Sequence, residues 1–170
     1  MIGTNVADWA SLGTLPLEWR IATVADFNGD GKVDLLMENT QTGERKVRLM
    51  NGTTLGSEVS LRVVATAWQI AGAADFTGDG QTDILWQNTQ TGERGVWVMI
   101  GNAVADWASL GTVSTDWQIA GTGDYDGDGQ TDVLWQNSAT GERKVWLMNG
   151  TTHTGDGAIG VVTPVWQMKN

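Results

Sequence analysis

Apolar positions in this chain come in short bursts separated by polar, glycine-containing turns. WQIAGAAD at 68–75 is a small-residue apolar run that ends on an acid. DILWQN at 83–88 is β-branched and aromatic, TQTGER at 89–94 reads as a hairpin turn around Gly92, and GVWVM at 95–99 follows it. A second turn, IGN here and NGTT elsewhere, precedes a looser fourth run. Each burst has the length and the boundaries of a strand. None holds a helical period. Runs such as ILW and VWVM are apolar on both faces, so they belong in a sheet that is covered on both sides.

The bursts recur without slippage. Trp19, Trp68, Trp117 and Trp166 are spaced 49 residues apart, as are Met1, Met50, Met99 and Met148. Between 68–99 and 117–148, 23 of 32 positions are identical. ADWASLGT stands at 7–14 and again at 105–112. A repeat of 40–50 residues with four short strands predicts an all-β chain of β-propeller blades stacked around an axis. The expected units are blades at 19–67, 68–116 and 117–165. Residues 1–18 are expected to be the outer strand of an incomplete blade, and 166–170 the start of another. The small residues Ala71, Gly72, Ala73 and Ala74 suit the innermost strand, where blades crowd together.

The repeat also organises the charge. The net charge is −10. Ten of the twenty acids lie in three glycine-rich loops, DFNGDGKVD at 26–34, DFTGDGQTD at 75–83 and DYDGDGQTD at 124–132. The other ten acids balance the ten Lys and Arg, so no basic field exists to hold nucleic acid. There is no cysteine, which excludes disulfides and thiolate metal sites. No apolar run reaches the roughly 18 residues that span a membrane. MIGTNVADW has neither the basic nor the apolar region of a signal peptide.

The loop pattern is that of a hard-cation site. Side-chain oxygens at positions 1, 3 and 5 come from Asp26, Asn28 and Asp30, then Asp75, Thr77 and Asp79, then Asp124, Asp126 and Asp128. Position 6 is Gly31, Gly80 or Gly129, where the chain must turn sharply. Position 7, Lys32, Gln81 or Gln130, offers its backbone carbonyl. Position 9, Asp34, Asp83 or Asp132, offers a last carboxylate. Oxygen ligands in a flexible loop favour Ca²⁺ over Mg²⁺. Asp126 makes the third loop the most acidic and Thr77 makes the second the weakest, so the middle site is expected to bind least tightly.

The loop, preceded by W-x-I-A and followed by D-[IV]-L-W-x-N, resembles the FG-GAP/VCBS repeat family. That family includes integrin α-subunit propellers and the lectin propeller of Psathyrella velutina. The resemblance implies one four-stranded blade per repeat, with Ca²⁺ in the loop between its first and second strands. It spans all three repeats but leaves function open, because members include lectins, adhesion receptors and propellers attached to enzymes.

Catalysis is not expected. The single histidine, His153, lies in a variable stretch, no nucleophile–base arrangement repeats, and the paired carboxylates are committed to the loops. Tryptophan is the remaining chemistry: there are ten. Trp86 and Trp135 offer indole faces for sugar stacking, with Asn88 and Arg94, and Asn137 and Arg143, as hydrogen-bonding partners. The first repeat carries Met37 and Arg48 in place of Trp86 and Trp97, so it should bind weakly. The leading expectation is a calcium-stabilised multivalent lectin for glycans such as GlcNAc-terminated chains, with avidity from equivalent sites. The alternative is an adhesion or scaffold module. Three calcium loops point to an extracellular or cell-surface setting. Open sheet edges invite association, and a homo-oligomer, most simply a dimer, would complete the ring.

Overall fold

The computed structural model describes residues 10–161, with side chains through residue 157. Twelve strands form three separate four-stranded antiparallel sheets. The first blade holds β1 (Trp19–Ala25), β2 (Asp34–Asn39), β3 (Arg45–Asn51) and β4 (Thr54–Ser60). The second holds β5 (Trp68–Ala74), β6 (Asp83–Asn88), β7 (Glu93–Ile100) and β8 (Ala103–Thr112). The third holds β9 (Trp117–Gly123), β10 (Asp132–Asn137), β11 (Glu142–Asn149) and β12 (Thr152–Val161). Strands follow one another within each sheet, so every blade is a meander. The innermost strands β1, β5 and β9 stand side by side. These are blades of propeller type, and the array they form is not closed. Residues 10–18, within the outer strand expected over 1–18, carry no strand. Residues 1–9 of that expectation, and the blade start expected at 166–170, lie outside the described residues.

Side chains alternate across a strand, and here both alternating sets are apolar because each set meets a different neighbour. Ile84 and Trp86 of β6 pack toward the first blade with Ile70, Trp97 and Met99, against Phe27, Leu36 and Val47. Leu85, between them, packs the other way with Phe76 and Val96, against Val133, Trp135, Trp146 and Met148. All of these side chains are buried. The core therefore lies between blades rather than within them. Ala71, Ala73 and Ala74 of β5 pack into the same two clusters, so small residues allow the inner strands to approach.

Polar links tie each blade to the next. The Thr82 hydroxyl donates to the Asp26 carbonyl at 2.7 Å, and Thr131 donates to the Asp75 carbonyl at the same distance. Arg45 reaches the Trp68 carbonyl at 2.9 Å and lies over the Trp86 ring, 5.4 Å from its centroid. Arg94 repeats this on the third blade, 2.7 Å from the Trp117 carbonyl and 5.5 Å from the Trp135 centroid. Burial pushes both guanidiniums below their ordinary range. In the first blade Glu38 offsets part of that effect, 3.1 Å from Arg45.

The previous-blade side of the first blade departs from the pattern. Ile21, Val24 and Val33 are exposed there, at the positions of Ile70, Ala73 and Thr82 in the second blade. Leu12 and Leu15 pack over Leu35, Met37 and Met50 and cover part of that face.

Replacing Arg94 by Met removes a charge-assisted bond to a backbone carbonyl and strands that oxygen at the interface. The expected loss is about 2 kcal/mol of unfolding free energy, read as a lower urea midpoint at an unchanged m-value. A midpoint equal to that of the parent would show that the arginine links do not hold the blades together.

Candidate functional site

Each acidic loop connects the first and second strands of its blade and is wound around the side chain of its first aspartate. Asp26 Oδ1 accepts from the backbone N–H of Asn28, Gly29 and Asp30, and Oδ2 accepts from Gly31 at 2.7 Å. Asp75 takes the N–H groups of Gly78, Asp79 and Gly80, and Asp124 those of Gly127 and Gly129. Partial desolvation acts upward on Asp26, but these N–H donors prevail and hold its carboxyl below the usual range. The turn needs a left-handed residue at position 6, and Gly31, Gly80 and Gly129 adopt φ of 79°, 81° and 83°.

Positions 3 and 5 curl in the same direction. Asn28 Oδ1 accepts from the Asp30 N–H at 3.0 Å, and Asp126 Oδ1 from the Asp128 N–H at 3.1 Å. Thr77 instead donates its hydroxyl toward Asp75 Oδ1 at 3.5 Å. In the third loop, carboxylate oxygens of Asp124, Asp126 and Asp128 all lie within 4.8 Å of one another, and the three residues are exposed. A cluster of that span and chemistry fits a hard divalent cation.

Position 7 serves the frame of each loop. Its N–H donates to the position-5 carboxylate at 2.9 Å in the first two loops and at 2.7 Å in the third. The Gln130 side chain accepts from the Gly150 N–H at 3.1 Å, and Gln81 accepts from Gly101 likewise. The Lys32 side chain has no acceptor oxygen, and its ammonium pairs with Asp30 at 3.4 Å.

Position 9 plays a different part from the outer carboxylates. Asp34, Asp83 and Asp132 are fully buried. Their Oδ2 atoms accept from the N–H of Phe27, Phe76 and Tyr125, at 3.0, 3.0 and 2.9 Å. Their Oδ1 atoms accept from the N–H of Met50, Met99 and Met148 on the third strand, at 2.8, 2.9 and 2.9 Å. The carboxylate is thus a staple between the loop and the blade. For Asp83, burial raises the pKa against the pull of the Met99 and Phe76 donors, and the charges of Asp79 and Asp75 add to the rise.

The residues expected to stack and bind a sugar are in the blade interface, which corrects the sequence expectation. Trp86 and Trp135 are 1% and 0% exposed, so neither indole presents a face to solvent on which a sugar could stack. Asn88, Asn137, Arg94 and Arg143 are buried beside them. Asn88 Oδ1 accepts from Gln90 and Thr91, and Asn137 Oδ1 from Ala139 and Thr140, closing their hairpins. Arg94 is the inter-blade link, and Arg143 lies 3.5 Å from Gln136 Oε1.

An open cleft of about 300 Å³ lies instead between the first and second blades, lined by Arg20, Glu38, Asn39, Arg45, Trp68 and Gln69 among others. Arg20 forms an ion pair with the buried Glu38. In the other blades the same cross-strand positions are Gln69 with Gln87 and Gln118 with Gln136. That exchange of two amides for an ion pair is visible in the sequence and marks this cleft as different.

Four-stranded blades in tandem, joined through acidic first loops, define a repeat module of β-propeller type. A family model described as an FG-GAP-like repeat matches residues 26–86 and 75–135, and the chain belongs to that family. No curated protein matches the chain, and neither does any solved structure.

The staple role makes a test possible in calcium-free protein. Asp132→Asn places an amide N–H₂ against one of two backbone donors and should cost about 1–3 kcal/mol. The exposed Asp128→Asn should stay within about 0.5 kcal/mol of the parent. Chemical denaturation monitored by tryptophan fluorescence would separate the two, and equal effects would reject the division.

Proposed function

We propose that this chain is a calcium-stabilised binding propeller that holds a carbohydrate in the cleft between its first two blades and does not transform it. The observation that carries the reading is the composition of that cleft. Trp68 offers aromatic surface, while Asn39, Gln69, Arg20 and Glu38 offer donors and acceptors within about 300 Å³. Sugars need both kinds of contact: an apolar plane for their C–H face, and side chains that replace the water on their hydroxyls.

Calcium acts on stability in this reading. Clustered carboxylates repel one another, so a bound cation stabilises the folded state by linkage. In the third loop Asp124, Asp126 and Asp128 hold it; in the first, Asp26, Asn28 and Asp30; in the second, Asp75, Thr77 and Asp79. An extracellular setting, where calcium is abundant, suits such sites.

A second reading, adhesion or scaffolding, is favoured by the exposed Ile21, Val24 and Val33 on the first blade. The matching face of the second blade is covered by the blade before it. A second copy of this chain could cover the exposed face in the same way, and light scattering at twice the monomer mass is the result expected of that dimer.

Calorimetry should give calcium binding to the parent, with Asp124→Ala losing the tightest site and Asp75→Ala losing least. Equal losses in Asp26→Ala, Asp75→Ala and Asp124→Ala would reject the ranking of the loops. A glycan array in millimolar calcium should give selective binding, GlcNAc-terminated chains being the first to inspect. Arg20→Ala should weaken that binding about tenfold, the loss of one charge-assisted contact. A blank array from folded, calcium-loaded protein would move the conclusion to adhesion.

A further inference from the structure

The second blade exchanges two residues that the other blades share in kind. Lys46 and Lys144 occupy equivalent positions on the third strands of the first and third blades, and Gly95 stands there in the second. A diagonal neighbour on the fourth strand is Glu58 in the first blade, Asp156 in the third and Trp107 in the second; these pair directly with Arg48, Trp146 and Trp97. The exchanges are coupled by sterics. A Cβ on Gly95 would run into the Trp107 ring, so the indole lies across the strand only because the lysine is gone.

The lysines show what this region of a blade holds. Lys144 Nζ lies 4.7 Å from the Trp117 ring centroid and 5.4 Å from that of Trp146. Lys46 Nζ lies 4.9 Å from the Trp19 centroid and 3.5 Å from Glu58. Each of these blades thus carries its own ammonium on indole faces. In the second blade Trp107 meets Trp68 edge-on at 5.4 Å, and Trp86 meets Trp97 at 4.6 Å. A cavity of about 200 Å³ remains among these four indoles and Val64. Trp107 is 40% exposed at its mouth.

We propose that the four-indole cavity of the second blade binds an alkylated ammonium ion, in the role that the Lys144 ammonium fills in the third. Indole faces attract cations through their quadrupole, most strongly where water is excluded. The lining offers no carboxylate, amide or carbonyl side chain, and the Nε1 of one lining residue, Trp86, is buried with no hydrogen-bond partner. Sugar hydroxyls would be desolvated there with almost nothing to replace water. A methylated ammonium needs no acceptor. The excess negative charge of the chain draws cations toward it. The site is separate from the polar cleft that carries the carbohydrate reading, although Trp68 borders both.

Titration of the calcium-loaded protein with tetramethylammonium chloride, read by tryptophan fluorescence against sodium chloride at matched ionic strength, tests this. A saturable change specific to tetramethylammonium is expected. It should weaken about tenfold in Trp107→Ala, the loss of one cation–π wall. The double variant Gly95→Lys with Trp107→Asp, which installs the two residues that the third blade carries at these positions and so keeps a fold the chain already uses, should not respond. Choline and a trimethyllysine peptide then distinguish sources: tighter choline binding identifies a free small cation, tighter peptide binding a methylated protein. Responses to tetramethylammonium and sodium that do not differ would overturn the proposal. So would undiminished binding in both variants, or saturation by N-acetylglucosamine, lost in Trp107→Ala, with no response to tetramethylammonium.

Discussion

Burial of both faces of every sheet is the constraint on which the rest depends. Ile84 and Trp86 belong to one interface and Leu85 to the next, so no blade can bury its own side chains alone. Stability is therefore shared between neighbours, as in other arrays built from one stacked unit. The polar links follow the same geometry. Thr82 and Thr131 reach back to the carbonyl of the preceding loop, and Arg45 and Arg94 reach forward onto the following blade. A buried arginine is costly to desolvate, yet each of these finds a backbone oxygen and an indole face. Their burial is tolerable because the neighbouring blade supplies both.

The same constraint explains where acids accumulate. A loop that leaves the innermost strand and enters the second must reverse within a few residues, leaving many backbone N–H groups without strand partners. The first-position aspartate gathers those donors, and the ninth-position aspartate anchors the loop to the third strand. Charge is concentrated there as much by backbone demand as by any ligand. The outer carboxylates are what remain available. Only in the third loop does the sequence supply three of them, Asp124, Asp126 and Asp128, and there they converge.

Much of the architecture was legible because it repeats. The 49-residue register marked every loop, and the unbroken apolar runs ILW and VWVM foretold sheets covered on both sides. Trp86 was harder. A tryptophan near a hairpin, followed by Gln, Asn and Arg, has the composition of a sugar site and equally that of an inter-blade link. Composition does not say which blade an indole faces; only the pleat and the neighbour's Arg45 decide that. Position 9 was hidden for a related reason. Its aspartate looks like the other loop carboxylates until the Met50, Met99 and Met148 N–H groups, 16 residues away, come into reach.

Repetition also sharpens the search for function. In an array, a residue common to all blades is explained first by the interface, because every junction imposes the same demand. Met37 replaces a tryptophan on the first blade, where the facing partner is not another blade but Leu12 and Leu15. Arg20 with Glu38, and Gly95 with Trp107, are different: each is a coupled change on adjacent strands, a direct pair in the first case and a diagonal contact in the second, made where the surrounding fold is kept. Paired changes preserve packing while altering what the site presents, amides to charges in one case and an internal ammonium to an open aromatic wall in the other. The two clefts at the junction of the first and second blades carry those exchanges. Divergence between blades, rather than their sameness, is therefore the better guide to where a ligand site would lie.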